Sequence, residues 1–550
     1  MKRLVVAGAA VISLVAGGAT LSPAADAAGS TGSATVPGTT GSAGVGYQPP
    51  PILWGTCASA RLQRAGAQCG FLTVPLDYQH PSGTKIKLAV SRVKHTTSDA
   101  NYQGVMLVNP GGPGGSGLIY SVLQGAIPNG AGDSYDWIGF DPRGVGSSEP
   151  SLSCNGAYAG YDRPLYEPVT PKLEKAWLGL AKGYAKDCTA AGGALLNHVK
   201  TTDSAQDMDS IRKALGRQQI NYYGFSYGTY LGQVYASLYP NRIRRAVFDG
   251  VVNPTRVWYA ANKDQDVAFN ISIKIFFTWV AQYDSVYHLG TTEKQVERAY
   301  YTARAKLVKD PAGGLIGPDE WTDVFTSAAY YVYGWEDVAT AFASWVNDRD
   351  PAPVTALYPA PGTDHDGTDN NYAMYLATQC TDTQWPTSWP FWRRDNWRTF
   401  ATSPFLTWSN AWYNAPCINW SGKVGRPVTV NGAKVAKILM INETYDAATP
   451  YSGALTVRKL FPKSVLIEGV GGSTHAGSLS GVTCTDDTIA GYLANGTLPA
   501  RVAGNTSDKK CPPVPQPDPT AAAAARTPVT GSAMSSDLRA GIGNRPRVTR

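Results

Sequence analysis

The sequence predicts an α/β fold: a mostly parallel central sheet flanked by helices, with a mainly helical segment inserted between its two halves. Three observations predict it. Strand and helix signals alternate from about residue 70 to 255, and the alternation resumes near residue 426. Apolar strand-like runs end in glycine-rich turns, one of which opens a helical pattern. Residues 256–425, between the two halves, differ in composition and hold 12 of the 15 tryptophans.

The chain starts Met1-Lys2-Arg3, continues with an apolar run over residues 4–15 and reaches small residues at Ala25-Asp26-Ala27. That pattern predicts a secretory signal peptide over residues 1–27. Gly, Ser, Thr and Ala dominate residues 28–46, a flexible leader or propeptide. No later segment reaches ~20 apolar residues, so a soluble exported protein without stable membrane insertion is expected. Residues 47–255 form the first half of the core. Within it, Gly104-Val105-Met106-Leu107-Val108 reads as a strand entering Asn109-Pro110-Gly111-Gly112-Pro113-Gly114-Gly115-Ser116-Gly117. So many glycines leave backbone N–H groups free to point into a cavity, as an oxyanion hole requires. A phosphate loop would end in Gly-Lys-Ser/Thr, which is absent, while a plain structural loop remains open. A further strand, Trp137-Ile138-Gly139-Phe140, ends in Asp141-Pro142-Arg143, where Asp141 and Arg143 are expected to pair and brace the loop.

Asn221-Tyr222-Tyr223-Gly224-Phe225-Ser226-Tyr227-Gly228 then reads as a strand end running into Gly-x-Ser-x-Gly, the nucleophile elbow of serine hydrolases. Glycines flank the serine because so tight a strand-to-helix turn leaves no room for a Cβ beside it. From Thr229 to Tyr239 apolar residues recur at helical spacing, and Pro240 stops the helix. Val247-Phe248-Asp249-Gly250-Val251 is the last strand of the first half. Residues 256–425 are expected to be a lid over the site, most of whose aromatics form its own core.

The second half, residues 426–511, supplies the partners of the serine. Triads of this architecture run Ser, then Asp or Glu, then His, with the acid and the histidine each after a late strand. Of six histidines, His288, His365 and His475 follow Ser226, and His475 alone lies after a late strand-like run, Ser464-Val465-Leu466-Ile467-Glu468-Gly469-Val470. Glycine-rich Gly471-Gly472-Ser473-Thr474 presents it. The preceding strand, Lys437-Ile438-Leu439-Met440-Ile441-Asn442, leads through Glu443 to Asp446, the best candidate to hold the histidine tautomer. Singly, Ser226 could be a turn residue, Asp446 a helix N-cap and His475 a polar loop residue. Jointly, in this order and each after its strand, they point to an α/β-hydrolase fold with a serine nucleophile.

The combination of Asn-Pro-Gly-Gly-Pro-Gly-Gly-Ser-Gly, Asp-Pro-Arg-Gly-Val-Gly-Ser-Ser, Gly-Phe-Ser-Tyr-Gly-Thr-Tyr-Leu-Gly and Glu-x-x-Asp-x-x-Thr-Pro resembles the secreted tripeptidyl aminopeptidases of actinobacteria, in the proline iminopeptidase family of α/β-hydrolases. The resemblance covers roughly residues 50 to 511. Proline iminopeptidases proper usually begin the first loop with His-Gly-Gly-Pro-Gly, whereas here Asn109-Pro110 precedes the glycines, as in the secreted branch. The resemblance implies a Ser226, Asp446 and His475 triad, Gly112 and Tyr227 as oxyanion donors, no cofactor, and release of short peptides from free N-termini. An esterase of the same fold is the alternative, and a non-catalytic binding protein a more distant one. An aminopeptidase must also pair a free ammonium, for which Glu443, Glu336 and Asp382 are the carboxylate candidates.

Formal charge is only +7 over 550 residues, with no basic cluster interleaved with aromatics, so nucleic acid is not an expected partner. No Cys-x-x-Cys or His-Glu-x-x-His spacing suggests a metal. The eight cysteines form sequence-local couples: Cys57 and Cys69, Cys154 and Cys188, Cys380 and Cys417, Cys484 and Cys511. An even count in an exported chain favours disulfides, with local pairing preferred although spacing alone does not fix connectivity. A disordered tail is expected from residue 512, and a monomer overall.

Overall fold

The structure is a computed structural model that describes residues 47–161, 163–358 and 369–521, with Met534 and Leu538. The expected signal peptide and leader, His365 and most positions beyond 521 lie outside the described residues. Among the described residues ten strands form one sheet: β1 (Gly55–Thr56), β2 (Gln68–Pro75), β3 (Lys85–Val93), β4 (Val105–Asn109), β5 (Asp136–Phe140), β6 (Ile220–Phe225), β7 (Ile243–Asp249), β8 (Ile438–Glu443), β9 (Val465–Gly469) and β10 (Lys509–Cys511). Their order is β1-β2-β3-β5-β4-β6-β7-β8-β9-β10. Pairing is antiparallel from β1 to β5 and parallel from β5 to β10.

β4, β5, β6 and β8 are buried along their whole length, because helices cover both faces of the parallel part of the sheet. Successive residues feed two apolar layers. Leu107, Tyr222, Phe248 and Met440 enter one, while Met106, Val108, Tyr223, Val247 and Leu439 enter the other. At the carboxyl edge Asn109 lies beside Gly224, Phe225 beside Asp249, Asp249 beside Ile441, and Glu443 beside Gly469. Every loop carrying a candidate site residue leaves the sheet at this edge, where parallel sheets place their ligands.

Between β7 and β8 the chain is helical, with its longest members at Tyr259–Gln282, Glu293–Leu307, Pro318–Tyr330, Asn370–Asp382 and Trp389–Phe400. This insert has an apolar core of its own in which Trp279, Trp321, Trp335 and Phe276 are buried. It is also joined to the sheet-bearing part: Trp412 stacks on Trp177 of the helix Pro171–Gly192, with centroids 5.4 Å apart and planes 7° from parallel. The cysteines pair Cys57–Cys69, Cys154–Cys188, Cys380–Cys417 and Cys484–Cys511.

Two expectations need correction. Asp141 and Arg143 do not pair with each other. Arg143 is fully buried and grips Asp207 with Nε and Nη2 at 2.7 and 2.6 Å, whereas Asp141 accepts Ser116 Oγ, Gly117 N and Ser147 N. Residues 512–521, expected to be disordered, are anchored at two points instead: Val514 is buried, and Pro517 O accepts Trp279 Nε1 at 2.9 Å. Their Pro-rich composition conceals this, since the partners lie far away in sequence.

Candidate active site

Ser226 sits between β6 and the helix Tyr227–Leu238 with φ 54° and ψ −126°, a conformation sparsely populated by non-glycine residues. Its surroundings hold it there. Ser226 N donates to Asp249 O at 2.9 Å, and Ser226 O accepts Thr229 N and Thr229 Oγ1 at 2.8 and 2.7 Å. The flanking glycines are steric necessities: a Cβ on Gly224 would lie 2.6 Å from Gly228 O, and one on Gly228 2.5 Å from Asn109 O. The glycine-rich loop after β4 closes on the elbow. Gly111 has φ +95°, and its Cβ would lie 2.5 Å from Phe225 O and 2.8 Å from Ser226 Cβ. Asn109 Oδ1 accepts Gly111 N at 3.0 Å and so braces this loop. Gly112 and Tyr227 line a pocket together with Ser226, and Tyr227 occupies the first turn of a helix, where N–H groups are unpaired within the helix.

Asp446 and His475 are fully buried and meet at 2.8 Å between Asp446 Oδ2 and His475 Nδ1. Asp446 is fixed independently of the histidine: Oδ1 accepts Ala448 N and Thr449 N at 3.0 and 2.9 Å, and Oδ2 accepts Thr449 Oγ1 at 2.8 Å. It caps the turn over 447–449 and orients the imidazole at the same time. With Nδ1 donating to the carboxylate, Nε2 is the basic nitrogen, and this buried atom has no hydrogen-bond partner among the described residues. Gly250 has φ +69° and lies close against the ring, since a Cβ there would lie 2.8 Å from His475 Cε1. Gly250 directly follows Asp249, whose carbonyl holds Ser226 N, so serine and histidine are registered through two adjacent residues of one strand end. His288, by contrast, is an exposed residue ending a short helix of the insert.

The three carboxylates proposed for an ammonium do not line the pocket. Glu443 is buried with both oxygens engaged, Oε2 by Thr474 N at 2.6 Å and Oε1 by Val514 N at 2.7 Å, and burial pushes its carboxyl up to about 8. Asp382 lies behind the wall, accepting Thr201 N and Oγ1 at 2.6 Å each and the pocket residue Trp258 through Nε1 at 3.0 Å. Burial raises it to about 6. Glu336 stands in the first turn of the insert helix Trp335–Ala343, away from the wall. The carboxylate that does line the pocket is Asp264, held by Arg256 at 2.6 and 2.8 Å. No sequence pattern marks it, for it is one of four charged residues on its insert helix. Asp249, beside the elbow, is likewise marked by no sequence pattern. It is buried, raised to about 6 by desolvation, with Oδ2 accepting Ser478 N at 2.9 Å and Oδ1 without a partner among the described residues.

Residues 104–285 match the family described as alpha/beta hydrolase fold, and residues 403–511 match the family described as TAP-like protein. The elbow falls within the first match, and Asp446 and His475 within the second. The protein is therefore a serine hydrolase of the α/β-hydrolase fold. It is 40% identical over 476 residues, 85% of this chain and 87% of the relative, to a tripeptidyl aminopeptidase of Streptomyces lividans. Identity is 28% to serine protease Hip1 of Mycobacterium tuberculosis, covering 82% of this chain and 90% of the relative. It is 29% to carboxylesterase B of Mycobacterium tuberculosis, covering 79% and 85%. The chain belongs to the tripeptidyl aminopeptidase family.

Proposed function

We propose that this protein is an exported serine exopeptidase that releases short peptides, tripeptides foremost, from free N-termini of polypeptides. The observation that carries the chemistry is the Asp446–His475 pair, which leaves Nε2 as a buried base without a partner among the described residues. Ser226 Oγ attacks the scissile carbonyl while its proton passes to His475 Nε2, and the oxyanion is received by Gly112 N and Tyr227 N. The imidazolium, stabilised by Asp446, then protonates the leaving amine as the acyl-enzyme forms. Water enters, gives a proton to Nε2 and attacks the ester, and return of that proton to Ser226 Oγ releases the peptide acid.

Peptide binding is supported by a wall that mixes aromatic rings, Trp258, Tyr375 and Tyr413, with the amides of Asn262 and Gln379. Asp264, on the same wall, is the carboxylate assigned to the substrate ammonium: unlike Glu443 its side chain is exposed, so its oxygens can accept from the ammonium alongside Arg256. The test is kcat/KM for a tripeptidyl anilide with a free N-terminus against its N-acetyl counterpart. Blocking the amine should cost at least about a hundredfold, roughly 2.7 kcal/mol. Equal rates, or faster cleavage of a simple ester lacking an amine, would leave the esterase reading, which the similarity to a carboxylesterase favours.

A further inference from the structure

We propose that Glu443 is a positioning residue which locks the His475 loop to the chain beyond Cys511, making that C-terminal segment a working part of the active site. The inference rests on His475 being the general base.

The loop that carries His475 is conformationally demanding. Ala476 and Leu479 both have positive φ, 53° and 57°, which non-glycine residues hold only when the surroundings over-determine them. Buried carboxylates at the sheet edge and beyond supply that constraint. Thr474 N donates to Glu443, Ser478 N to Asp249, and Leu479 N and Gly481 N to the two oxygens of Asp486. Glu443 also reaches a second chain segment: its other oxygen accepts Val514 N at 2.7 Å. Thr474 directly precedes His475, so this carboxylate sets the backbone from which the imidazole hangs.

Both sides of the clamp are shaped for it. On the loop side, a Cβ on Gly472 would lie 2.3 Å from Glu443 Oε2, and one on Gly469 2.9 Å from Glu443 Cγ. The glycines before His475 thus make room for a carboxylate. On the other side, Pro512-Pro513-Val514-Pro515 contains a single N–H, that of Val514, and Glu443 takes it. Prolines on either side hold this run extended at little entropic cost, so the N–H is presented ready oriented. The Val514 side chain is buried in the insert's apolar cluster with Ala447 and Ala448, the residues that follow Asp446. A second tie lies further on, where Met534 N donates to Leu479 O at 2.8 Å.

Ionisation gives the clamp a signature that a simple staple lacks. The charged groups bearing on Glu443 are Asp446 and Asp249, both of which disfavour its anion, while the Thr474 and Val514 N–H groups favour it. Burial outweighs those bonds. A proton on either oxygen opposes one of the two N–H donors, so the loop is held best when Glu443 is ionised.

The experiment compares the full chain with Glu443→Gln, Val514→Pro and a chain ending after Cys511, using a tripeptidyl anilide across pH. Val514→Pro removes one donor and keeps the extended backbone, so it stands in if Glu443→Gln fails to fold. Each variant is expected to lose about tenfold to a hundredfold in kcat, with KM within about twofold because Glu443 lies off the pocket wall. The rise of kcat through about pH 8 should vanish in Glu443→Gln. Glu443→Gln combined with the truncation should be no worse than either alone, because both break one clamp. Wild-type kcat in the truncated chain or in Val514→Pro, additive losses, or an unchanged alkaline limb would overturn the proposal. Retained activity in His475→Ala would instead overturn the general-base reading beneath it.

Discussion

Asp446→Asn is a nearly isosteric change whose consequence is dictated by the backbone around it. Oδ1 accepts the N–H groups of Ala448 and Thr449, so the amide oxygen of asparagine must take that place. The opposite flip would point an NH2 group at two N–H donors and leave them unsatisfied, at about 1–3 kcal/mol each. The amide nitrogen therefore replaces Oδ2, 2.8 Å from His475 Nδ1. Nδ1 then faces the NH2 group at 2.8 Å beside the amide oxygen at 2.9 Å, and that oxygen already serves two N–H donors, so the tautomer in which Nδ1 accepts and Nε2 carries the proton is favoured and no longer receives the proton of Ser226. A wrong tautomer in an intact triad lowers kcat by about 10⁴, equivalent to about 5.4 kcal/mol of transition-state stabilisation. The assay is kcat on a tripeptidyl anilide, with thermal unfolding measured alongside. KM and Tm should stay close to wild type, since Asp446 keeps its capping bonds and does not line the pocket. A loss below about tenfold in a folded variant would refute the tautomer argument.

Ser226→Ala and His475→Ala should lower turnover by several orders of magnitude and Ser226→Ala should abolish fluorophosphonate labelling, whereas His288→Ala should leave both unchanged; activity measurements and labelling decide it. Gly250→Ala puts a methyl 2.8 Å from His475 Cε1 at a φ of +69°, so kcat should fall about a hundredfold and stability by about 1–3 kcal/mol, read by kinetics and urea unfolding. Asp249 is raised to about 6 when folded, so the folded state holds its proton more tightly than the unfolded one. The stability this group contributes is present below about pH 4 and is lost as pH rises through 6. Asp249→Asn should remove that dependence, making the variant fare better relative to wild type at pH 8 than at pH 4, by at most about 3 kcal/mol. Identical differences in unfolding free energy at the two pH values would contradict this.

The parts of the site that were legible in the sequence are those made by short-range rules. Gly224, Ser226 and Gly228 announce a turn because each glycine avoids a clash within a few residues or against the adjacent strand. β4 to β9 show as apolar runs because both faces are covered, whereas β1 and β10, two and three residues long at the sheet edges, leave no such trace. The pairing of residues far apart was not legible. Arg143 meets Asp207, 64 positions on, rather than its neighbour Asp141, and local proximity misled. Glu443 stands among the candidate ammonium partners because carboxylates near a triad invite that role, and nothing local discloses that Val514 and Thr474 occupy it. Asp264 leaves no trace in the sequence, since its place on the pocket wall depends on where an insert helix is laid.

The insert is bonded to the backbone of the histidine loop. Tyr330 O accepts His475 N at 2.8 Å, and Val332 N donates to Thr474 Oγ1 at 2.9 Å. Tyr330 also forms part of the pocket wall. A hinged cover that swung clear of the sheet would have to break these bonds and release the imidazole with them, so an open enzyme would be a disarmed one. The element that shapes the pocket wall is thus also the element that keeps the base aimed, and a substitution that loosens the insert should be felt twice, once in what binds and once in how fast it reacts.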